Sequence, residues 1–285
     1  LSSAAGAAAL ALTRPSWAQG FPERNISITV PTGEGGGADR DARIFTKLWQ
    51  NHLKTNFEFE FYPGAAGQVG YEFYMRKEPN PYNLLFANMG PEVIMLTLQD
   101  PGIEIGKDVV YIKQTLSEPM AVWVGPNSQF ETVQQLVDEG KKRPITVSVS
   151  RLPHPASIGM LALGEATGAK FNLVPYGGGN PSAMAAITGE VDCCVLPITN
   201  AIQLADQARI LGVFADQNRA GESADNAPTI NEVFGTEIPA LTSSRAWALH
   251  AETVEKFPDE VQMLKDTMQA TLEDPEYAKA VEAAG

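Results

Sequence analysis

Seven consecutive residues, Gly33-Glu34-Gly35-Gly36-Gly37-Ala38-Asp39, hold the first recognisable chemistry in this chain. Glycine lets a backbone approach a ligand closely. A loop that opens a helix also leaves unpaired N–H groups at the positive end of the helix dipole. What such a loop holds is an anion, a phosphate or a carboxylate. A second loop of the same kind is Pro63-Gly64-Ala65-Ala66-Gly67. Three more, rich in Gly, Pro or hydroxyls, span 88–91 from Asn88, 150–157 with Ser150, Arg151 and His154, and 176–182 from Tyr176 and Gly177.

Two chemistries compete for the first loop. Gly33 to Ala38 matches G-x-G-x-x-A after a strand and before a helix, the dinucleotide fingerprint, and Glu58 or Glu60 falls near the distance of a ribose-binding acid. That would make the protein an exported dinucleotide-binding oxidoreductase. Against it, the second strand ends in Tyr62-Pro63 and not in the acid, and a second glycine loop follows at once. Exported compartments also supply little free nicotinamide nucleotide. Other catalytic signatures are missing: no G-x-S-x-G, no H-E-x-x-H and no P-loop. Ser157 beside His154 has no third group to orient it. His52, His154 and His250 lie far apart and none sits near a cysteine, so no metal-ligand spacing exists. The expectation is a protein that is not an enzyme and uses no metal or cofactor.

The elements that must position these loops alternate. Ile26–Val30 is an apolar strand, and Ile44, Phe45, Leu48, Trp49 and Leu53 then mark one helical face. Phe57, Phe59 and Phe61 alternate with Glu58 and Glu60 as a half-wet strand. Further strands are predicted at 83–87, 109–115, 120–124, 145–149, 171–174, 191–196, 210–215 and 246–249, with a helix over 130–142 among those between. This is the pattern of an α/β fold with mostly parallel sheets. All five loops follow strands, and the carboxyl ends of parallel strands are where open α/β sheets bind ligands.

Charge narrows the partners. Among 285 residues, 34 Asp and Glu against 21 Lys and Arg give a net charge of -13, with no dense basic run. So acidic a surface repels nucleic acid and anionic lipid, while a pocket remains a local field that can still hold a small anion. Residues 1–20 read LSSAAGAAALALTRPSWAQG, an apolar run too short to span a bilayer, ending in a small-residue cleavage pattern at Ala18. A secretory signal over 1–20 and a periplasmic protein are expected. The only cysteines, Cys193 and Cys194, are adjacent in an apolar strand and are expected to be buried and unbridged.

Four motifs in order resemble one family, the Bug/TctC extracytoplasmic solute-binding receptors of tripartite tricarboxylate transporters, over nearly the whole chain after residue 20. Val30 to Asp39 is similar to its V-P-F-x-P-G-G-x-x-D. Tyr62 to Gly70 is similar to R-P-G-A-G-G-x-x-G. Val174-Pro175-Tyr176 through Ala183, with Gly189-Glu190-Val191-Asp192, is similar to V-P-Y-x-G-x-x-P-A…G-x-V-D. Pro228-Thr229-Ile230-Asn231-Glu232 is similar to P-T-x-x-E.

The resemblance implies a type II periplasmic-binding-protein fold, two α/β lobes joined by two crossover segments with the ligand cleft between them. The lobes are expected at 21–119 with 217–285, and at 120–216. It implies an organic carboxylate (dicarboxylate, tricarboxylate or aromatic) held by Gly35, Gly36, Gly37, Ala38 and Asp39 with Gly64, Ala65, Ala66 and Gly67, a monomer, and membrane transporter subunits as partners. Asp39 also suits a helix N-cap. The chain departs from the family at Ser150-Arg151-Leu152-Pro153-His154, where small residues are usual. Arg151 offers a bidentate fork for a carboxylate, or pairs with a surface acid, and His154 offers a donor, a pH-sensitive charge or loop stiffening. Pro197 and Ile198 stand where many relatives place an Asp for amino groups, which weakens an amino-acid ligand. Arg245 resembles an Arg of some tricarboxylate-type members that lines the cleft or braces the hinge.

Overall fold

The computed structural model describes residues 20–283. The expected signal segment lies, apart from Gly20, outside the described residues. Among the described residues nine strands form: β1 (Ile26–Val30), β2 (Phe57–Phe61), β3 (Asn83–Asn88), β4 (Val109–Val124), β5 (Ile145–Val149), β6 (Phe171–Pro175), β7 (Cys193–Pro197), β8 (Arg209–Phe214) and β9 (Thr242–His250). In the first half of the sheet, β1 pairs in parallel with β2 and β3, and β3 pairs antiparallel with β9. In the second, β5 lies parallel to β6 and β7. The two halves share β4. Its residues 109–119 run antiparallel to β9, and its residues 120–124 run antiparallel to β7 and β8.

The sequence predicts two strands where β4 is one. Glu118-Pro119 interrupts the apolar run, and a proline without an N–H is normally kept out of a central strand. Here Pro119 stands where β4 passes from one set of partners to the other, opposite Thr242, with Met120 N–H donating to the Leu241 carbonyl at 2.9 Å. The missing donor therefore falls at the crossing point of two sheets. The predicted helix over 130–142 is also shorter, α4 at Val133–Gly140, because Thr132 caps it by accepting the Gln135 N–H.

Each half buries its own apolar faces. One cluster joins Ile26, Ile28 and Val30 to Phe45, Trp49, Trp247 and Leu264, with the Trp49 and Trp247 rings 5.2 Å apart; a second holds Tyr71, Tyr74, Leu85 and Met95. Around the other half, Val122, Val147 and Met160 lie on one side, and Trp123, Ala186 and Leu196 on the other. Residues 217–241, expected with the first lobe, depart from that expectation: Ile230, Val233, Phe234, Ile238 and Leu241 pack into the cluster of Val122 and Val147. The P-T-x-x-E segment explains the attachment. It is a capping box, in which Thr229 Oγ1 accepts the Glu232 N–H at 3.2 Å and Glu232 Oε2 accepts the Thr229 N–H at 2.8 Å.

The adjacent cysteines are free and buried. Successive side chains of a strand point to opposite faces, so Cys193 joins the cluster of Val147 and Cys194 the cluster of Trp123. Burial pushes both thiols up, far from the reactive thiolate. A disulfide-exchange reagent at pH 8 is therefore expected to leave the native protein unmodified and to titrate both thiols only after denaturation. Rapid modification of the folded protein would overturn this placement.

Candidate ligand-binding site

The first glycine loop leads from β1 into α1 (Gly37–Leu53), whose N-cap is Gly36. Asp39 is not the cap. It lies inside the first turn, buried, with Oδ2 accepting the Gly35 N–H at 2.8 Å and Oδ1 accepting from Arg43 Nε at 2.5 Å. The carboxylate thus folds the loop back on itself. It also engages the Gly35 amide, after which Gly36, Gly37 and Ala38 form the helix N-terminus. Arg245, on β9, arrives at the same point. Its Nε donates to Asp41 Oδ2 at 3.1 Å and its Nη1 to Ser243 Oγ at 2.7 Å, while Nη2 lies 3.6 Å from where a Cβ on Gly37 would stand.

The second loop runs from Pro63 into α2 (Gln68–Met75) through backbone that only small residues accept easily. Gly67 has φ 113°, and a Cβ on Gly70 would stand 2.6 Å from Pro31 Cα, so the two glycine loops are pressed together there. Ala66, also left-handed at φ 58°, presents its carbonyl outward. Arg151 takes it: Nη1 donates to the Ala66 oxygen at 2.6 Å across the two halves of the fold. Gly90 makes a second crossing, since a Cβ there would stand 2.8 Å from Pro155 Cγ. The two sets of loops therefore face each other in contact, and among the described residues Arg151 forms no ion pair with a surface acid.

Asn88 ends β3 and is the N-cap of α3 (Met89–Gln99), but its side chain does not cap. Its N–H and its Nδ2 both donate to Glu92, at 2.9 and 3.2 Å. Glu92 is wholly buried, its Cγ close to Gly67. Burial is the largest influence on it and outweighs Arg151, Asn88 and the Tyr71 hydroxyl, so the carboxyl is pushed up to about 7. Sequence reasoning missed this residue. A signal existed: Glu92 is the single acid in an apolar helix that reads MGPEVIMLTLQ.

Ser150 and Arg151 follow β5, and His154 caps α5 (Pro155–Thr167) through Nδ1, which accepts the Ala156 N–H at 3.1 Å. An accepting Nδ1 leaves the proton on Nε2. Burial, then the charges of Arg151 and Arg245, push the imidazole down to about 3. His154 is thus a fixed neutral donor, and the expected pH-sensitive charge is not there. No Ser–His pair forms either, since Ser157 Oγ donates to the Arg151 carbonyl. Gly177 is left-handed at φ 75° after β6. Tyr176 is occupied elsewhere, donating to Glu190 Oε1 at 2.8 Å.

The arrangement brings Arg151 to the second glycine loop and Arg245 to the N-terminus of α1, with the neutral His154 in the field of both. Burial, opposed by Glu92 and reinforced by Arg245, lowers the Arg151 guanidinium, so the two cations act on each other. Glu92 and Asp41 partly balance them. A third acid, Glu118 on β4, is buried and pushed up by that burial against the hydrogen bonding of Thr199 and the charge of Arg245. Two cations whose charges act on each other can hold an anionic group. A dinucleotide fits poorly, because Glu60 is engaged by Lys77 and Ser27, and Glu58 by Asn25. Among the described residues no group of His, Cys, Asp and Glu is arranged to hold a metal ion.

Residues 43–285 match the tripartite tricarboxylate transporter family receptor, TctC. Protein BugT of Bordetella pertussis is 25% identical over 185 residues, which are 63% of this chain and 56% of BugT's length. Among solved structures, the periplasmic binding protein BugD superposes with a TM-score of 0.79 at 22% identity, covering 91% of this chain and 86% of BugD. MatC from Rhodopseudomonas palustris with bound malate gives 0.77 at 17%, covering 91% and 88%. A further R. palustris protein with adipate gives 0.78 at 20%, covering 90% and 86%. These likenesses show the periplasmic-binding-protein fold.

Proposed function

The chain belongs to the tripartite tricarboxylate transporter receptor family of periplasmic solute-binding proteins, and from that premise we propose that it captures an aliphatic dicarboxylate and presents it to membrane transporter subunits, acting as a monomer without catalysis. One carboxylate lies on the Gly36, Gly37 and Ala38 amides with Arg245 Nη2. The second faces Arg151 and His154 Nε2. The lobes in this reading are 21–119 with 242–285, and 120–241, hinged at β4 and β9. No helix among the described residues is long and apolar enough to cross a membrane.

The observation that carries this is that Arg151 reaches the second glycine loop at Ala66 and Arg245 the first at Gly37, from the two halves of the fold, with their charges acting on each other. Glu92 lies in the field of Arg151, and Asp41 and Glu118 in that of Arg245, so a dianion meets both cations and not a single one. The malate and adipate complexes of MatC and its R. palustris neighbour support the same class. Titration calorimetry against succinate, malate, adipate, citrate and benzoate, beside the diamides of the dicarboxylates, tests it. A dicarboxylate is expected to bind at least about 100-fold more tightly than its diamide, since the amide has no charge to set against two buried cations. Equal affinity for acid and amide would sink the site.

A further inference from the structure

We propose that Glu92 is the resident counter-charge of Arg151, and that capture of a dianionic carboxylate draws the Arg151 charge to the ligand while Glu92 takes up one proton from solvent. This rests on the carboxylate-binding function proposed above.

The geometry places a carboxylate where a ligand must compete with it. Glu92 is wholly buried on α3, its stem packed against Gly67 and its two oxygens held by Asn88. Ala66, one residue before Gly67, receives the Arg151 Nη1 hydrogen bond, so Arg151 reaches the wall on which Glu92 lies. The groups that face Glu92 from the elements around it are few. Tyr71 on α2 and Tyr111 on β4 share a hydroxyl hydrogen bond at 3.0 Å, and burial keeps both phenols neutral well beyond physiological pH. Asn88 on β3 does not titrate. Arg151, from the loop after β5, is the one cation whose charge helps to keep Glu92 ionised.

A second anion at Arg151 changes that balance in two ways. The guanidinium divides its charge between ligand and Glu92, and the ligand's own charge repels a wholly buried carboxylate. Both effects favour the protonated acid. Since Glu92 already titrates at about 7, little further support need be lost before it is neutral in the complex. Asn88 then still satisfies one acid oxygen, so the loop keeps its shape. The sign follows from linkage: if the complex holds more protons than the free protein, affinity rises as pH falls through the titration of the free carboxyl.

Calorimetry with succinate, malate and adipate, at pH 6.5 to 8.5 in two buffers of contrasting ionisation enthalpy, counts the protons without any variant. The wild-type protein is expected to take up roughly three quarters of a proton at pH 7.5 and to bind on the order of tenfold more tightly at pH 6.5 than at pH 8.5. Glu92→Gln, which keeps the shape and the amide contacts, is expected to bind with no proton uptake and a flat pH profile. Binding without uptake in the wild type overturns the proposal and leaves the carboxylate function standing. Equal uptake in wild type and Glu92→Gln overturns it as well and assigns the proton to another acid such as Glu118. If none of the three acids binds at any pH, both proposals fall.

Discussion

Replacing Arg151 with Ala is expected to lower affinity for a dicarboxylate by about 2–4 kcal/mol, the usual loss when one partner of a buried charged contact is removed. The side chain lies in neither apolar core. Its one hydrogen bond within the protein crosses to the Ala66 carbonyl, so its loss weakens the closed arrangement more than either half of the fold. Melting temperature in the absence of ligand is therefore expected to change little. A monocarboxylate of similar size, held on the α1 amides with Arg245, is expected to lose well under half as much free energy. The variant also leaves Glu92 facing a ligand carboxylate with no cation between them. Adding Glu92→Gln to Arg151→Ala is then expected to restore part of the affinity, with a coupling of about 1 kcal/mol or more. Calorimetry on the four proteins of this cycle, with differential scanning calorimetry beside it, decides the matter. Equal losses for mono- and dicarboxylate would remove Arg151 from the ligand's second end and leave it as an interlobe tie.

Much of this site is written locally. The glycine loops are readable because each follows an apolar strand within the same thirty residues, and left-handed or tightly packed backbone at Gly67 and Gly70 demands glycine. Two of the four family-like motifs contain residues that hold the frame. Thr229 and Glu232 form a capping box. Asp192 takes a bidentate pair from Arg143, at 2.8 and 3.0 Å, and the Thr146 N–H, tying β7 to β5. The capping box is legible in its T-x-x-E spacing, whereas the work of Asp192 is not, because a partner 46 residues away leaves no trace in spacing.

Charge pairing is the part that sequence withholds. Nothing in the loop 150–157 says that Arg151 ends on a carbonyl 85 residues earlier, or that His154 turns Nδ1 back to its own helix and loses its titration. Glu92 escaped notice for the same reason: its significance is burial beside a cation from the other half of the fold. The expected Asp39 cap failed through backbone detail. The helix begins two residues sooner than its apolar periodicity, and an acid inside the first turn can close the preceding loop as readily as an N-cap can.

Arg245 is expected to show the largest effect on stability of any residue in the site. It is almost fully buried on β9, opposite Asn88 of β3 and Leu116 of β4, and forms an ion pair with Asp41 that is itself largely covered. Truncation to Ala leaves the Asp41 carboxylate and the Ser243 hydroxyl without their partner, and breaking a buried pair from one side costs about 3–5 kcal/mol. For a chain of this size that corresponds to a fall in melting temperature on the order of 10 °C. Stability alone does not separate a brace from an anchor, because both lose the same ion pair. Asp41→Asn separates them. It weakens the brace while leaving the guanidinium, with Nη2 beside Gly37, free to hold an anion more strongly. A structural brace predicts that Arg245→Ala and Asp41→Asn both destabilise and that neither changes affinity well below melting. An anchor predicts opposite signs: Arg245→Ala loses dicarboxylate binding by at least about 2 kcal/mol, and Asp41→Asn keeps or improves it. Matching losses of affinity in the two variants would show that Arg245 acts through the shape of the β3–β9–β4 crossing and not through contact with the ligand.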